Sequence, residues 1–232
     1  MIAGMRLSSR AMKGALLDLL YPRECADCGV AIAEQERLAF CAGCDGRIEW
    51  ISPPACPRCG AALSRGSCGE CEGRDFLFAG ATALGKYDGR LREFVLSLKF
   101  RGGRYLAEEF GKRLAARISR KFDLVVPVPM SRWKLLFRGY NAADLVGERM
   151  ARHAGLPYSS SALRKIRRTK PQAELEREAR LVNPKGAYRA KGVRGMVLLV
   201  DDVLTTGATA NACSEALRAA GATEVHVAVI AR

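Results

Sequence analysis

The chain has 232 residues, nine cysteines, two histidines and a formal net charge of +14. That length carries one full α/β domain and a small metal-stapled module, and no apolar stretch approaches the ~20 residues of a membrane-spanning helix. Neither G-x-x-x-x-G-K-[ST] nor a strand followed by G-x-G-x-x-G occurs, which argues against a P-loop nucleotidase and a dinucleotide-binding domain.

At the N-terminus, Ser8 or Ser9 can cap a short helix whose Ala11, Met12, Ala15, Leu16, Leu19 and Leu20 share one side. Lys13 and Asp18 interrupt its apolar character and no small-residue cleavage site follows, so an export signal is not expected and a cytoplasmic location is. Eight cysteines then form four C-x-x-C pairs: Cys25/Cys28, Cys41/Cys44, Cys56/Cys59 and Cys68/Cys71. The unit repeats, because Cys25-Ala-Asp-Cys28-Gly29 and Cys56-Pro-Arg-Cys59-Gly60 are both followed by a plain C-x-x-C. Glycine after the second cysteine suits the positive-φ turn that aims backbone N–H groups at thiolate sulfurs. Two closed tetrahedral Zn²⁺ sites are predicted, filled in sequence order as 25/28/41/44 and 56/59/68/71; the spacing alone also allows a cross-braced pairing. Disulfides fit poorly without an export signal, and the spacing matches neither common ferredoxin run.

We place a domain boundary at residue 75, with 1–75 as the N-terminal helix and double zinc ribbon and 76–232 as an α/β domain. The first part carries nine Lys/Arg against ten Asp/Glu and the second twenty-nine against fourteen. The field of a polyanion-binding surface therefore belongs to the second part, which is long enough for a five-stranded sheet with flanking helices. Ala79–Tyr87 reads as a strand, Leu91–Phe100 as a short helix and Tyr105–Ser119 as an amphipathic one. Leu124-Val-Val-Pro-Val-Pro129 reads as a strand that ends in a rigid loop. The loop Met130–Gly139 is expected to bring Arg132, Lys134 and Arg138 together before a helix from about Asn141 to Ala154. The polar stretch Arg164–Asn183 reads as a flap able to close on a ligand. Met196–Val200 and Glu224–Ala231 are the last two strands, joined by a helix over roughly Thr209–Ala220 for which Thr209 is the expected cap. His153, His226 and Cys213 read as structural.

The most informative run is Val197-Leu-Leu-Val-Asp201-Asp202-Val-Leu-Thr205-Thr206-Gly207-Ala208-Thr209. Four apolar residues form a buried parallel strand, and two carboxylates stand at its C-terminal end, where open α/β sheets place ligands. The small, hydroxylated turn after them offers free amides and a positive helix end to an anion. Acids beside an anion cradle make chemical sense for a ligand with a phosphate at one end and sugar hydroxyls nearby: a phosphorylated ribose. The run resembles the binding motif of type I phosphoribosyltransferases, which bind phosphoribosyl pyrophosphate (PRPP). The resemblance implies that Asp201 and Asp202 hold the ribose hydroxyls and that Thr205, Thr206, Gly207, Ala208 and Thr209 hold the 5-phosphate.

Along nearly its whole length the chain resembles the ComF family, a double zinc ribbon followed by a type I phosphoribosyltransferase-like parallel sheet with flanking helices. Besides the cysteines and the acid-loop run, the resemblance rests on Leu98-Lys99-Phe100, Val126-Pro-Val-Pro129, Arg138-Gly139-Tyr140-Asn141, Thr169-x-x-Gln172 and Arg180-x-x-Asn183. Ala142 departs from the glutamine usual in the family. The resemblance implies Mg²⁺ with PRPP, a pyrophosphate loop that includes Arg132 and Arg138, and a role in DNA uptake and competence. Two readings of function follow. In one, the protein binds Mg-PRPP and transfers phosphoribosyl to an unidentified acceptor. In the other, it handles nucleic acid, with PRPP as a regulatory ligand and single-stranded DNA or a DNA-uptake helicase as partner. Aromatics near the basic flap are few, Tyr140, Tyr158 and Tyr188, where stacking readers of nucleic acid use several.

Overall fold

In a computed structural model of the chain, residues 24–32, 39–64, 66–167 and 186–232 are described. The N-terminal helix, most of the polar flap and the Thr169-x-x-Gln172 and Arg180-x-x-Asn183 motifs lie outside them. The chain divides into two compact units, residues 1–48 and 49–232. This differs from the boundary expected at residue 75: the second cysteine cluster packs with the sheet, and the first belongs to the smaller unit. In that smaller unit, helix α1 (Ala42–Asp45) presents Cys44 inward beside the Cys25–Cys28 knuckle.

The larger unit is built on β1 (Gly80–Gly85), β2 (Leu124–Pro127), β5 (Gly195–Val203) and β6 (Ala222–Ala231), a parallel sheet in the order β1-β6-β5-β2. Two further strands, β3 (Leu163–Lys165) and β4 (Tyr188–Ala190), pair with each other in an antiparallel ribbon, so among the described residues the main sheet has four strands rather than five. Val197, Leu198, Leu199 and Val200 are fully buried because β5 has neighbours on both edges and cover on both faces, the situation that selects continuous apolar runs. Helices α2 (Gly89–Phe100), α3 (Leu106–Arg117) and α5 (Ala142–Ala154) cover one face, and α6 (Ala208–Ala219) with the β3–β4 ribbon covers the other. The inward residues of α2, Leu91, Phe94, Val95 and Leu98, recur at the spacing that puts them on one helical stripe.

The second knuckle is docked on this sheet. Ala81 N–H donates to the Pro57 carbonyl at 3.1 Å. Gly60, at φ +74°, sits so close to β1 that a Cβ there would lie 2.9 Å from the Ala83 nitrogen. A side chain is therefore excluded by contact as well as by conformation.

Where a loop was expected over Met130–Gly139, residues Arg132–Arg138 form helix α4. Ser131 caps it by accepting from the Lys134 amide, and Gly139 ends it in the left-handed conformation at φ +72°. Helical geometry separates Arg132 from Arg138 by roughly 9 Å along the axis and roughly 120° around it, while Lys134 and Arg138 share a face. The three cations are thus not gathered at one point. No helix among the described residues is long and apolar enough to cross a membrane.

Candidate functional site

The clusters come first because their chemistry is closed. All nine cysteines are free thiols, and in each predicted quartet, 25/28/41/44 and 56/59/68/71, the four sulfurs lie within 4.8 Å of one another. The pairing is sequential, not cross-braced. Sulfur separations of 3.8 Å (Cys28–Cys41) and 3.5 Å (Cys56–Cys71 and Cys59–Cys68) match the ~3.8 Å edge of a tetrahedron with Zn–S bonds of ~2.3 Å. They are far longer than the ~2.05 Å of a disulfide. Gly29 and Gly60 take φ of +72° and +74°, as their place after the knuckle requires. Burial opposes ionisation of Cys25, but the amides of Cys41, Cys28 and Asp27 outweigh it and bring the thiol down to about 6. Cys56, likewise buried, is brought down to about 7 chiefly by the Cys59 amide and by Cys68 and Cys71. One thiolate per cluster is thus ready for metal near neutral pH. Burial and neighbouring thiols hold Cys44 and Cys71 well up, so loading Zn²⁺ must release protons. All four ligand positions are protein sulfur, so these sites are structural.

The acid pair occupies the C-terminal end of the central strand. Asp201 Oδ1 accepts the Asp202 amide at 2.8 Å, and Asp202 Oδ1 pairs with Lys99 Nζ at 2.8 Å, both side chains of that pair being largely buried. Burial, with the charge of Asp202 added, pushes the Asp201 carboxyl up to about 8 against the opposing pull of the Asp202 amide and Lys99. Tyr188, from the antiparallel ribbon, is buried beside Asp201 and meets the Thr209 hydroxyl; its phenol is held strongly protonated by burial and by the nearby Cys213 and Asp201.

Strand β2 brings the second loop to the same edge. Pro127 is in register with Val200, and Val128 N–H donates to the Val200 carbonyl at 2.8 Å. The Asn141 side chain donates to the Val128 carbonyl at 2.9 Å, so both ends of the segment that contains α4 are tied at the acids' end of the sheet. Arg138 lies over the Phe100 ring at 4.1 Å. With Lys99, Phe100, Arg104 and Tyr140 it lines a cleft of about 420 Å³. Arg132 does not line this cleft.

The loop after the acids turns sharply. Gly207, at φ +83°, is the N-cap of α6; Thr209, the expected cap, lies inside the helix. The turn closes instead through Thr206 Oγ1, which accepts the Ala208 amide at 3.3 Å. A Cβ on Gly207 would come 2.7 Å from the Phe76 ring. Thr205 and Thr206 face a cavity of about 520 Å³ also lined by Arg74, Lys86 and Arg232.

Sequence reasoning assigned no role to Lys99, Tyr188, Arg74 or Arg232. Lys99 lies in the last turn of helix α2, shortly before Gly102-Gly103, which offers a basic side chain near a helix C-terminus as a signal but no hint of its partner 103 positions away.

Comparison with known proteins agrees with this architecture. Residues 16–72 match the double zinc ribbon domain family, and residues 145–232 match the phosphoribosyl transferase domain family. Competence protein F of Haemophilus influenzae is 28% identical over 83% of this chain and 90% of its own length. Competence protein ComFC of Streptococcus pneumoniae is 27% identical over 83% of this chain and 87% of its own. DNA utilization protein YhgH of Escherichia coli K12 is 27% identical over 92% of this chain and 99% of its own. Among solved structures, a glutamine phosphoribosylpyrophosphate amidotransferase from B. subtilis superposes with a TM-score of 0.42 at 23% identity, covering 58% of this chain and 30% of that chain.

Proposed function

Starting from a chain that is a homologue of the ComF-type competence proteins and carries both of their modules, we propose that it binds Mg-PRPP at the end of β5 and supports phosphoribosyl transfer there. The observation that carries this reading is the Asp201–Asp202 pair at a strand end, followed at once by a glycine-turned loop that opens a helix. Asp201 and Asp202 would accept the ribose 2- and 3-hydroxyls. Thr205–Thr209 would receive the 5-phosphate on amides, hydroxyls and the helix N-terminus. Arg138, which lines the cleft with Lys99, would face the pyrophosphate; Arg132, on another side of helix α4, would not.

In such a reaction the bond from the anomeric carbon to pyrophosphate breaks, the leaving group takes the electron pair, and an acceptor nitrogen supplies the new bond. Mg²⁺, arriving on the pyrophosphate, would shield its charge. The protein's part is to orient the ribose and stabilise charge, which needs no nucleophile. Calorimetric titration of Mg-PRPP into zinc-loaded protein tests the reading. Saturable binding by the parent and its loss in Asp201→Asn/Asp202→Asn is expected; a folded parent that does not bind Mg-PRPP overturns it.

A second reading, single-stranded DNA handling within the competence role that the relatives' names suggest, is favoured by one specific observation. Helix α4 buries none of its residues. Trp133, Leu136 and Phe137 stand exposed beside Arg132, Lys134 and Arg138, with Phe100 and Tyr105 also exposed. Trp133 and Phe137 meet edge to face at 4.9 Å. Aromatic rings interleaved with cations are what base stacking and phosphate contact require, and this supply is richer than the flap alone offers. Affinity for an oligo-dT should fall steeply with salt and drop in Trp133→Ala; salt-insensitive or absent binding removes the reading.

A further inference from the structure

The second cysteine cluster touches the candidate phosphate loop through two arginines. Arg74, three residues beyond Cys71, donates from Nη1 to the Thr205 carbonyl at 3.1 Å. Arg232, the residue after β6, donates from Nη1 to the Leu204 carbonyl at 3.3 Å and the Thr205 carbonyl at 3.4 Å. At its other side Arg232 approaches Glu70 at 3.7 Å, and Glu70 also pairs with Arg74 at 3.8 Å. Glu70 stands between Cys68 and Cys71 in the turn that supplies half of the cluster's sulfurs. The Arg232 side chain is only 5% exposed, and its Nε and Nη2 are buried with no hydrogen-bond acceptor. Its charge is met by Glu70 and stands near Cys59 of the cluster. A zinc tetrathiolate would carry a net charge of about −2 and add to the counter-charge that Glu70 gives this guanidinium.

Peptide geometry turns these contacts into a consequence. A trans peptide is planar, so the carbonyl of one residue and the N–H of the next point in opposite directions. With the Leu204 and Thr205 carbonyls drawn toward the ribbon, the amides of Thr205 and Thr206 face away from it. Among the described residues, neither of these amides meets an acceptor. The ribbon's tail clamps the loop's far side as well. Phe76 fills the space that a Gly207 side chain would need. Asn211 on α6 accepts the Leu77 amide at 2.8 Å and donates to the Asp75 carbonyl at 2.9 Å.

We infer that the second zinc ribbon is the floor of the phosphate loop, with Arg74 and Arg232 as positioning residues that grip the loop's carbonyls and so aim its amides at the phosphate. The inference rests on reading that loop as the phosphate cradle. Its metal dependence is therefore local: Zn²⁺ in the 56/59/68/71 cluster sets the loop's shape, and Zn²⁺ in the 25/28/41/44 cluster does not.

Backbone ¹⁵N relaxation of the full chain, without ligand, reads the loop directly, and Mg-PRPP titration reads the ligand separately. In Arg74→Ala, with two zinc ions still bound per chain, the order parameters of Thr205–Gly207 should fall from about 0.85 to below about 0.6. Mg-PRPP affinity should fall about tenfold, the size expected for losing one charge-assisted hydrogen bond. Arg74→Lys, which keeps a donor within reach of the Thr205 carbonyl, should recover part of both. Because Arg232 also holds Thr205, Arg74→Ala/Arg232→Met should exceed the single variant. Unchanged order parameters in both variants overturn the inference, whatever the ligand does. A parent that fails to bind Mg-PRPP overturns only the ligand reading, and the loop's order parameters then decide the brace by themselves.

Discussion

Two clusters with the same four ligands and the same knuckle have been put to different structural use. The first stands in a small unit, residues 1–48, where among the described residues the Cys25–Cys28 turn and one short helix bring its sulfurs together. Arg47 donates to Cys44 at 3.3 Å there. The second is fused to a parallel sheet, one side of it against β1 and the other gripping the loop after β5. Identical coordination chemistry therefore does not imply identical consequence. What matters is which backbone groups the metal's neighbours hold.

The strongest way to break that comparison is to remove one ligand from each cluster. Cys59→Ala should release one zinc and abolish measurable Mg-PRPP binding, with a large drop in melting temperature, since structural zinc contributes on the order of 10 kcal/mol to the folding of small metal modules. Cys28→Ala should release one zinc and leave both the melting temperature of the sheet domain and the affinity close to those of the parent. Equal loss of binding in the two variants, with zinc measured by emission spectroscopy, would end the distinction.

A second prediction separates stability from binding at the acids. Because burial pushes the Asp201 carboxyl up to about 8 in the folded protein, against the ordinary carboxylate value of about 3.9 when unfolded, the folded state holds a proton between those values that the unfolded chain gives up. Stability contributed at this site must therefore fall as pH rises from about 4 to about 8 and then level off. Asp201→Asn should flatten that slope and raise stability at pH 8 by a few kcal/mol while abolishing Mg-PRPP binding; a calorimetric melting series from pH 5 to 9 reads it. Ligand affinity in the parent should move oppositely, improving as pH rises toward 8, because the carboxylate form accepts the ribose hydroxyls.

Smaller effects refine the picture. Lys99→Met leaves Asp202 without its partner beside Asp201, which should cost about 2 kcal/mol in urea unfolding, below the loss for a fully buried pair because both side chains keep some contact with water. Gly207→Ala forces a side chain onto Phe76 at positive φ and should cost about 1–2 kcal/mol while weakening Mg-PRPP binding. Trp133→Ala, at a residue 56% exposed, should change stability by less than about 0.5 kcal/mol, so any loss of oligo-dT binding in that variant reports on the surface alone.

How much of this was legible in the sequence depended on distance along the chain. The four C-x-x-C pairs and the Asp201–Thr209 run are local patterns whose chemistry is fixed by spacing, and both sulfur quartets assemble as the spacing implied. The buried run Val197–Val200 marked the central strand for the same reason. Helix α4 was missed although Ser131 and Gly139 are its start and stop signals. Its residues bury no face, so the apolar stripe on which a helix reading depends is missing. The short β3–β4 ribbon carries too few residues to show a period. Least legible were contacts between side chains and distant backbone. Arg74 meets Thr205 across 131 positions and Lys99 meets Asp202 across 103, and in neither case does the local sequence name the partner.

The amide of Asn211 satisfies an N–H and a C=O two residues apart on the chain it faces, much as an adjacent strand would. That makes the amide itself, and not only the shape of the side chain, what the contact needs. Hydrolysis of this one side-chain amide exchanges an NH₂ for an oxygen, with almost no change in shape. The new carboxylate could still accept from Leu77 but would meet the Asp75 carbonyl as acceptor against acceptor. A single deamidation, invisible to overall shape, would loosen the hold of helix α6 on the ribbon's tail.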